Sequence, residues 1–129
     1  MKISFFKIYT SGANLILTLV FTILFATPMQ AKASAPLGDL TLFLKISQDS
    51  LKLLELGDLN TATKRITELE TAWDQAEEKL QPMNPDAWAS LDKTIDHALA
   101  KFRADKPNAE ACKIMVEYII ARIKSLQED

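Results

Sequence analysis

The residues whose types and spacing could do chemistry are a set of carboxylates, two tryptophans and one histidine. Glu70, Asp74 and Glu77 follow one another at spacings of four and three, so a helix places them on one face. Asp92 and Asp96 share a helix face in the same way. Counting outward from a turn centred near Pro82 and Met83, Asp74 lies level with Leu91 and Asp92, and Glu70 with Ile95 and Asp96. Divalent cations take clustered carboxylate oxygens as ligands. Glu70, Asp74, Asp92 and Asp96 are therefore the candidate metal face. The competing expectation is a solvated acidic surface paired with Lys93 and other bases. A di-iron carboxylate centre wants Glu-x-x-His pairs, and the chain has none.

Trp73, Trp88 and His97 make up a candidate patch for a ligand or partner. Both tryptophans fall on apolar stripes at nearby levels of one hairpin. They pack into a core, each indole N–H finding a carboxylate such as Asp92, or they form a partly exposed aromatic surface. His97 is the only histidine. Haem ligation would draw on it with Met83 or Met115, but there is no C-x-x-C-H attachment motif and the order of Met and His differs from that of small four-helix cytochromes. The run Asp96-His97-Ala98-Leu99-Ala100-Lys101 loosely resembles the helix-borne histidine of phosphotransfer bundles. As a catalytic base His97 lacks a Ser, Thr or Cys in a recognisable nucleophile setting. The bland expectation is a rim histidine beside Asp96. No catalytic residue, enzyme activity or cofactor is expected.

The beginning of the chain argues for export. Lys2 and Lys7 precede an apolar run from Leu15 to Ala26, Pro28 follows, and Ala31-Lys32-Ala33 supplies small residues around a cleavage point. A positive start, an apolar stretch of about a dozen residues and an A-x-A exit are the mark of a cleaved signal peptide. The run is shorter than the ~20 residues that span a membrane. Cleavage is expected after Ala33, leaving residues 34–129 as one helical domain in the periplasm or outside the cell, with no stable membrane span. The alternative is an anchor retained over Leu15 to Met29. No cysteine stands at the end of the run, which disfavours a lipoprotein.

Cleavage removes three of the 15 basic residues and none of the 17 acids, so the net charge moves from −2 to −5. An acidic surface repels nucleic acid and anionic lipid. Cys112 is the single cysteine, so no internal disulfide is possible.

Four helical segments must position these residues. Ser34 to Gly38 reads as a short flexible leader. The first helix is expected from Asp39, as its cap, to Leu56, with Leu40, Leu44, Ser47, Leu51 and Leu54 inward and Gly57 as its stop. The second is expected from Leu59 to Gln81, capped by Asp58, with a stripe of Leu59, Ala62, Ile66, Leu69, Trp73, Ala76 and Leu80. The third is expected from Pro85 to Ala104, with Asn84 as cap and Trp88, Leu91, Ile95, Ala98 and Phe102 inward. The fourth is expected from Pro107 or Asn108 to Gln127, with Cys112, Met115, Val116, Ile119, Ile123 and Leu126 inward. Short loops between helices force neighbours to run antiparallel. The expected fold is all-α, an up-down antiparallel four-helix bundle. A pair of stacked helical hairpins is the alternative.

The stretch from Asp58-Leu59-Asn60-Thr61-Ala62 through Ile66 to Trp73-Asp74, followed by Trp88 and Leu91-Asp92-Lys93-Thr94-Ile95-Asp96-His97-Ala98-Leu99, resembles a group of small exported bacterial four-helix proteins of uncharacterised function. The likeness covers about residues 37 to 115 and carries no activity with it. The resulting expectation is a non-enzymatic periplasmic module that binds an envelope protein. The alternative is a small-ligand or divalent-metal binding protein using the acidic face.

Overall fold

The computed structural model describes residues 36–128. The expected signal peptide, its cleavage point and the alternative anchor lie outside the described residues. The described residues lie in one compact unit.

Among the described residues there are four helices and no strand: α1 (Thr41–Glu55), α2 (Leu59–Leu80), α3 (Pro85–Phe102) and α4 (Ala109–Glu128). None is long and apolar enough to cross a membrane. Each boundary has a local cause. The Asp58 carboxylate accepts the Thr61 N–H at 3.0 Å and caps α2. Asn84 accepts the Ala87 N–H at 3.1 Å ahead of Pro85, whose missing N–H is one that a first turn leaves unused. Asn108 accepts the Ala111 N–H at 2.9 Å and opens α4. Gly57 has φ +78°, the left-handed conformation that stops α1.

α1 packs against α2 and α4, and α4 packs also against α3. The interface between α2 and α3 is the smallest of the four. A single core joins all of them, with Trp73, Ile66, Leu69, Leu91, Ile95, Val116, Ile119 and Ile123 almost or wholly removed from water. The stripes expected for α2 and α3 face inward, apart from Leu59 and Ala76, which are half-buried at the edge of the core.

Two expectations at the N-terminal end are corrected. Leu37 is fully buried and belongs to the core, so residues 37 and 38 are not a flexible leader. Gly38 has φ +94° and lies so close to the α2–α3 turn that an added Cβ would sit 2.9 Å from Leu80 Cδ2 and 3.1 Å from Met83 Sδ. Residues 37 and 38 are held by tertiary packing that no local signal records. Asp39 likewise stands ahead of the helix: its carboxylate accepts the Thr41 N–H at 2.9 Å across two residues, and Leu40 occupies the cap position.

The inward face of α1 is also rotated from the expected one. Leu40, Ser47 and Leu54 are buried as expected, but Leu44 and Leu51 are half-buried, and Phe43, Ile46 and Ser50 are buried instead. A helix covered by two neighbours has a wider buried arc than one leucine stripe describes. Ser47 and Ser50 turn their hydroxyls back to the carbonyls of Phe43 and Ile46, at 2.8 and 3.0 Å, so both are satisfied inside the core.

Candidate functional site

Trp73 on α2 and Trp88 on α3 are both brought inward, with 1% and 4% of their surface exposed. Their rings stack with centroids 3.7 Å apart and planes inclined by 6°. Phe43 of α1 meets Trp73 edge-on, at 5.1 Å and 82°. The buried Trp73 N–H donates to Asp92 Oδ1 at 2.9 Å. An aromatic slab thus joins three helices, and its polar atom on Trp73 is matched by a carboxylate. Little of either indole is left to meet a ligand, so the two tryptophans serve as core rather than as the exposed patch.

The candidate acidic face divides. Glu70 accepts both terminal nitrogens of Arg103, which follows the last residue of α3; the Nη1–Oε1 distance is 3.1 Å and the second contact is Nη2 to Oε2. This fork-on-fork pairing also raises the Arg103 guanidinium above its ordinary pKa. Asp92 is occupied by Trp73. Asp74 and Asp96 are exposed. Among the described residues, no group of three or more His, Cys, Asp or Glu side chains is placed to hold a metal ion. Glu70 and Asp92 are thus turned to different neighbours.

His97 is exposed and lines a shallow depression of about 310 Å³ with Ala100 and Lys101 of α3 and Met115 of α4. Met115 and His97 therefore face one concavity, whereas Met83 lies in the α2–α3 turn against Gly38. The depression mixes an apolar floor with two basic groups. It is removed from the tryptophan slab in the sense that neither indole lines it. Cys112 is fully buried, and burial pushes its thiol above the ordinary range, weakly opposed by Lys101. A thiol of that kind behaves as a small core residue.

Two features escaped sequence reasoning. Phe43, the third ring of the slab, was legible only as one more apolar residue of α1. Asp49 of α1 bridges Lys45 on its own helix and Arg65 of α2, the latter at 2.9 Å, and Arg65 also pairs with Glu68. The hydrogen bond from Lys45, with help from Arg65, holds the Asp49 carboxyl below the usual aspartate range.

Comparison with known protein families, with characterised proteins and with solved structures finds no match to this chain.

Proposed function

We propose that the chain is an exported helical module that works by binding another envelope component rather than by turnover. In this reading residues 1–33 are removed on export, and the remainder folds as an up-down antiparallel bundle. The carrying observation is the order of Lys2 and Lys7, the apolar run Leu15 to Ala26, Pro28 and Ala31-Lys32-Ala33. In support of the bundle, Phe43 meets Trp73 while Asp49 meets Arg65, so rising numbers on α1 meet falling numbers on α2. Three-residue to six-residue connections between the helices favour the same arrangement. In support of a binding role, two of the four candidate carboxylates are engaged in holding helices together, while Asp74, Asp96 and His97 stay exposed. Glu70 is taken by Arg103 and Asp92 by Trp73.

The test of the binding role is crosslinking in intact cells followed by recovery of the processed chain. A discrete crosslinked species is expected. A chain that crosslinks to nothing, yet turns over a substrate in a metabolite screen, would contradict the reading. The alternative, a divalent-cation carrier on Glu70, Asp74, Asp92 and Asp96, would first have to release Glu70 from Arg103 and Asp92 from Trp73.

A further inference from the structure

The two flanks of α3 carry opposite charges. On the flank toward α2, Asp92 accepts the Trp73 N–H, and Glu70 and then Asp96 hold the Arg103 guanidinium above its ordinary pKa. On the flank toward α4, Lys93, His97 and Lys101 recur every four residues and are all exposed. Burial raises the Cys112 thiol of α4 and Lys101 opposes that rise, so the Lys101 ammonium leans to the α4 side of its helix.

The edge of α4 that meets this flank brings another base and no acid. Met115 closes the depression that His97, Ala100 and Lys101 line from α3, about 310 Å³ in volume. Arg122 stands seven residues after Met115, two turns along the same edge. Glu110 and Glu117 stand five residues before and two after Met115, so the helix turns them to other faces. Lys93, His97, Lys101 and Arg122 form no ion pair among the described residues, and Arg122 Nε is buried without a hydrogen-bond partner. In a chain of formal net charge −2, the α3–α4 edge thus gathers four basic side chains that no acid pairs with.

We propose that the depression between α3 and α4 binds a small carboxylate that bears an apolar tail. Lys101 and His97 hold the carboxylate, and the tail lies on Ala100 and the Met115 thioether. Charge selects the occupant: a cation would meet two basic groups and no acid, whereas an anion meets the bases it complements. The apolar floor selects the tail, since a methyl and a thioether offer dispersion contact and almost no hydrogen bonding. The volume is at the small end of the range for ligand sites, which suits a short tail. Binding is therefore weak, with a dissociation constant between about 0.1 and 10 mM. The site is separate from the envelope partner proposed above and stands or falls without it.

Titration of the protein, purified as the cell processes it, with hexanoate and detection by NMR tests this. His97 is the only histidine, so its ring signals are unambiguous. The Met115 methyl reports on the floor of the depression, and the Met83 methyl, against Gly38 in the α2–α3 turn, is the internal control. Saturable shifts at His97 and Met115 with Met83 unmoved are expected. Hexanol and inorganic phosphate, each with half of the chemistry, bind at least about fivefold more weakly. Lys101→Glu weakens hexanoate about fivefold or more. Lys124→Glu makes the same charge change on another face of α4 and leaves the constant within about twofold. Far-UV circular dichroism verifies that both variants are folded. No saturation below about 50 mM would overturn the proposal. So would Met83 shifting in step with Met115, hexanol binding as well as hexanoate, or a constant indifferent to Lys101→Glu.

Discussion

Trp73 and Trp88 stack face to face between α2 and α3, with ring centroids 3.7 Å apart, in an interface smaller than those of α1 with α2, α1 with α4 and α3 with α4. The slab they form with Phe43 ties α3 to the α1–α2 pair within the common core. Removing Trp88 by substitution with alanine therefore costs about 3–5 kcal/mol of unfolding free energy, as for other buried aromatics. Urea titration monitored by circular dichroism reads this directly. A loss under ~1 kcal/mol would mean that the stack is incidental to the fold.

Asp92 acts on the same slab through one hydrogen bond to the Trp73 N–H. Asp92→Ala leaves a buried donor without its acceptor, a loss of about 1–3 kcal/mol. Asp92 is half-buried, so entering water places the value toward the lower end. With Trp73→Phe already in place there is no N–H to strand, and the added cost of Asp92→Ala should largely vanish. Equal cost in both backgrounds would show that Asp92 contributes by another route.

Leu37 and Gly38 test whether the segment before α1 is part of the fold. Leu37→Ala empties a fully buried position and should cost about 2–5 kcal/mol. Gly38→Ala meets both backbone strain at φ +94° and the Leu80 and Met83 side chains. Gly57→Ala meets strain alone at φ +78°, with open space around the new methyl, and should cost about 1–2 kcal/mol. The order Gly38→Ala worse than Gly57→Ala is the expected outcome of thermal melts. Variants at 37 and 38 that melt with the parent would restore the flexible leader.

The acid limb of the stability profile should involve Asp49. Its pKa is lowered in the folded state by Lys45 and then Arg65. The unfolded chain binds its proton first as pH falls, so the stabilisation is complete above the ordinary aspartate value of 3.8 and is lost as pH drops through the lower folded value. Urea midpoints measured from pH 7 down to pH 2.5 should decline below about pH 4, and Asp49→Asn should flatten that decline while lowering the midpoint at pH 7. A parallel decline in the variant would remove Asp49 from the acid response.

The four helices and most of their inward faces are legible in the sequence because each stripe repeats at the helical period and each end carries its own chemistry. Asp58, Asn84 and Gly57 act within one turn of themselves, so their roles follow from neighbours alone. Leu37 does not, because its burial depends on residues of the core far along the chain. The rotated face of α1 depends on which two helices flank it. The pairing of Glu70 with Arg103 spans 33 residues and cannot be read from spacing on either helix. Glu70 and Asp92 find different partners for that reason: spacing along a helix sets the level of a side chain, and its neighbours around the helix set the partner.

Export with loss of residues 1–33 is tested most directly by expressing the full chain in a bacterial host, isolating the envelope fraction and weighing the protein by intact-mass spectrometry. The expected result is a single soluble envelope species whose mass begins at Ser34. A species of full length confined to the cytoplasm would contradict export, and a full-length species held in the membrane would contradict cleavage.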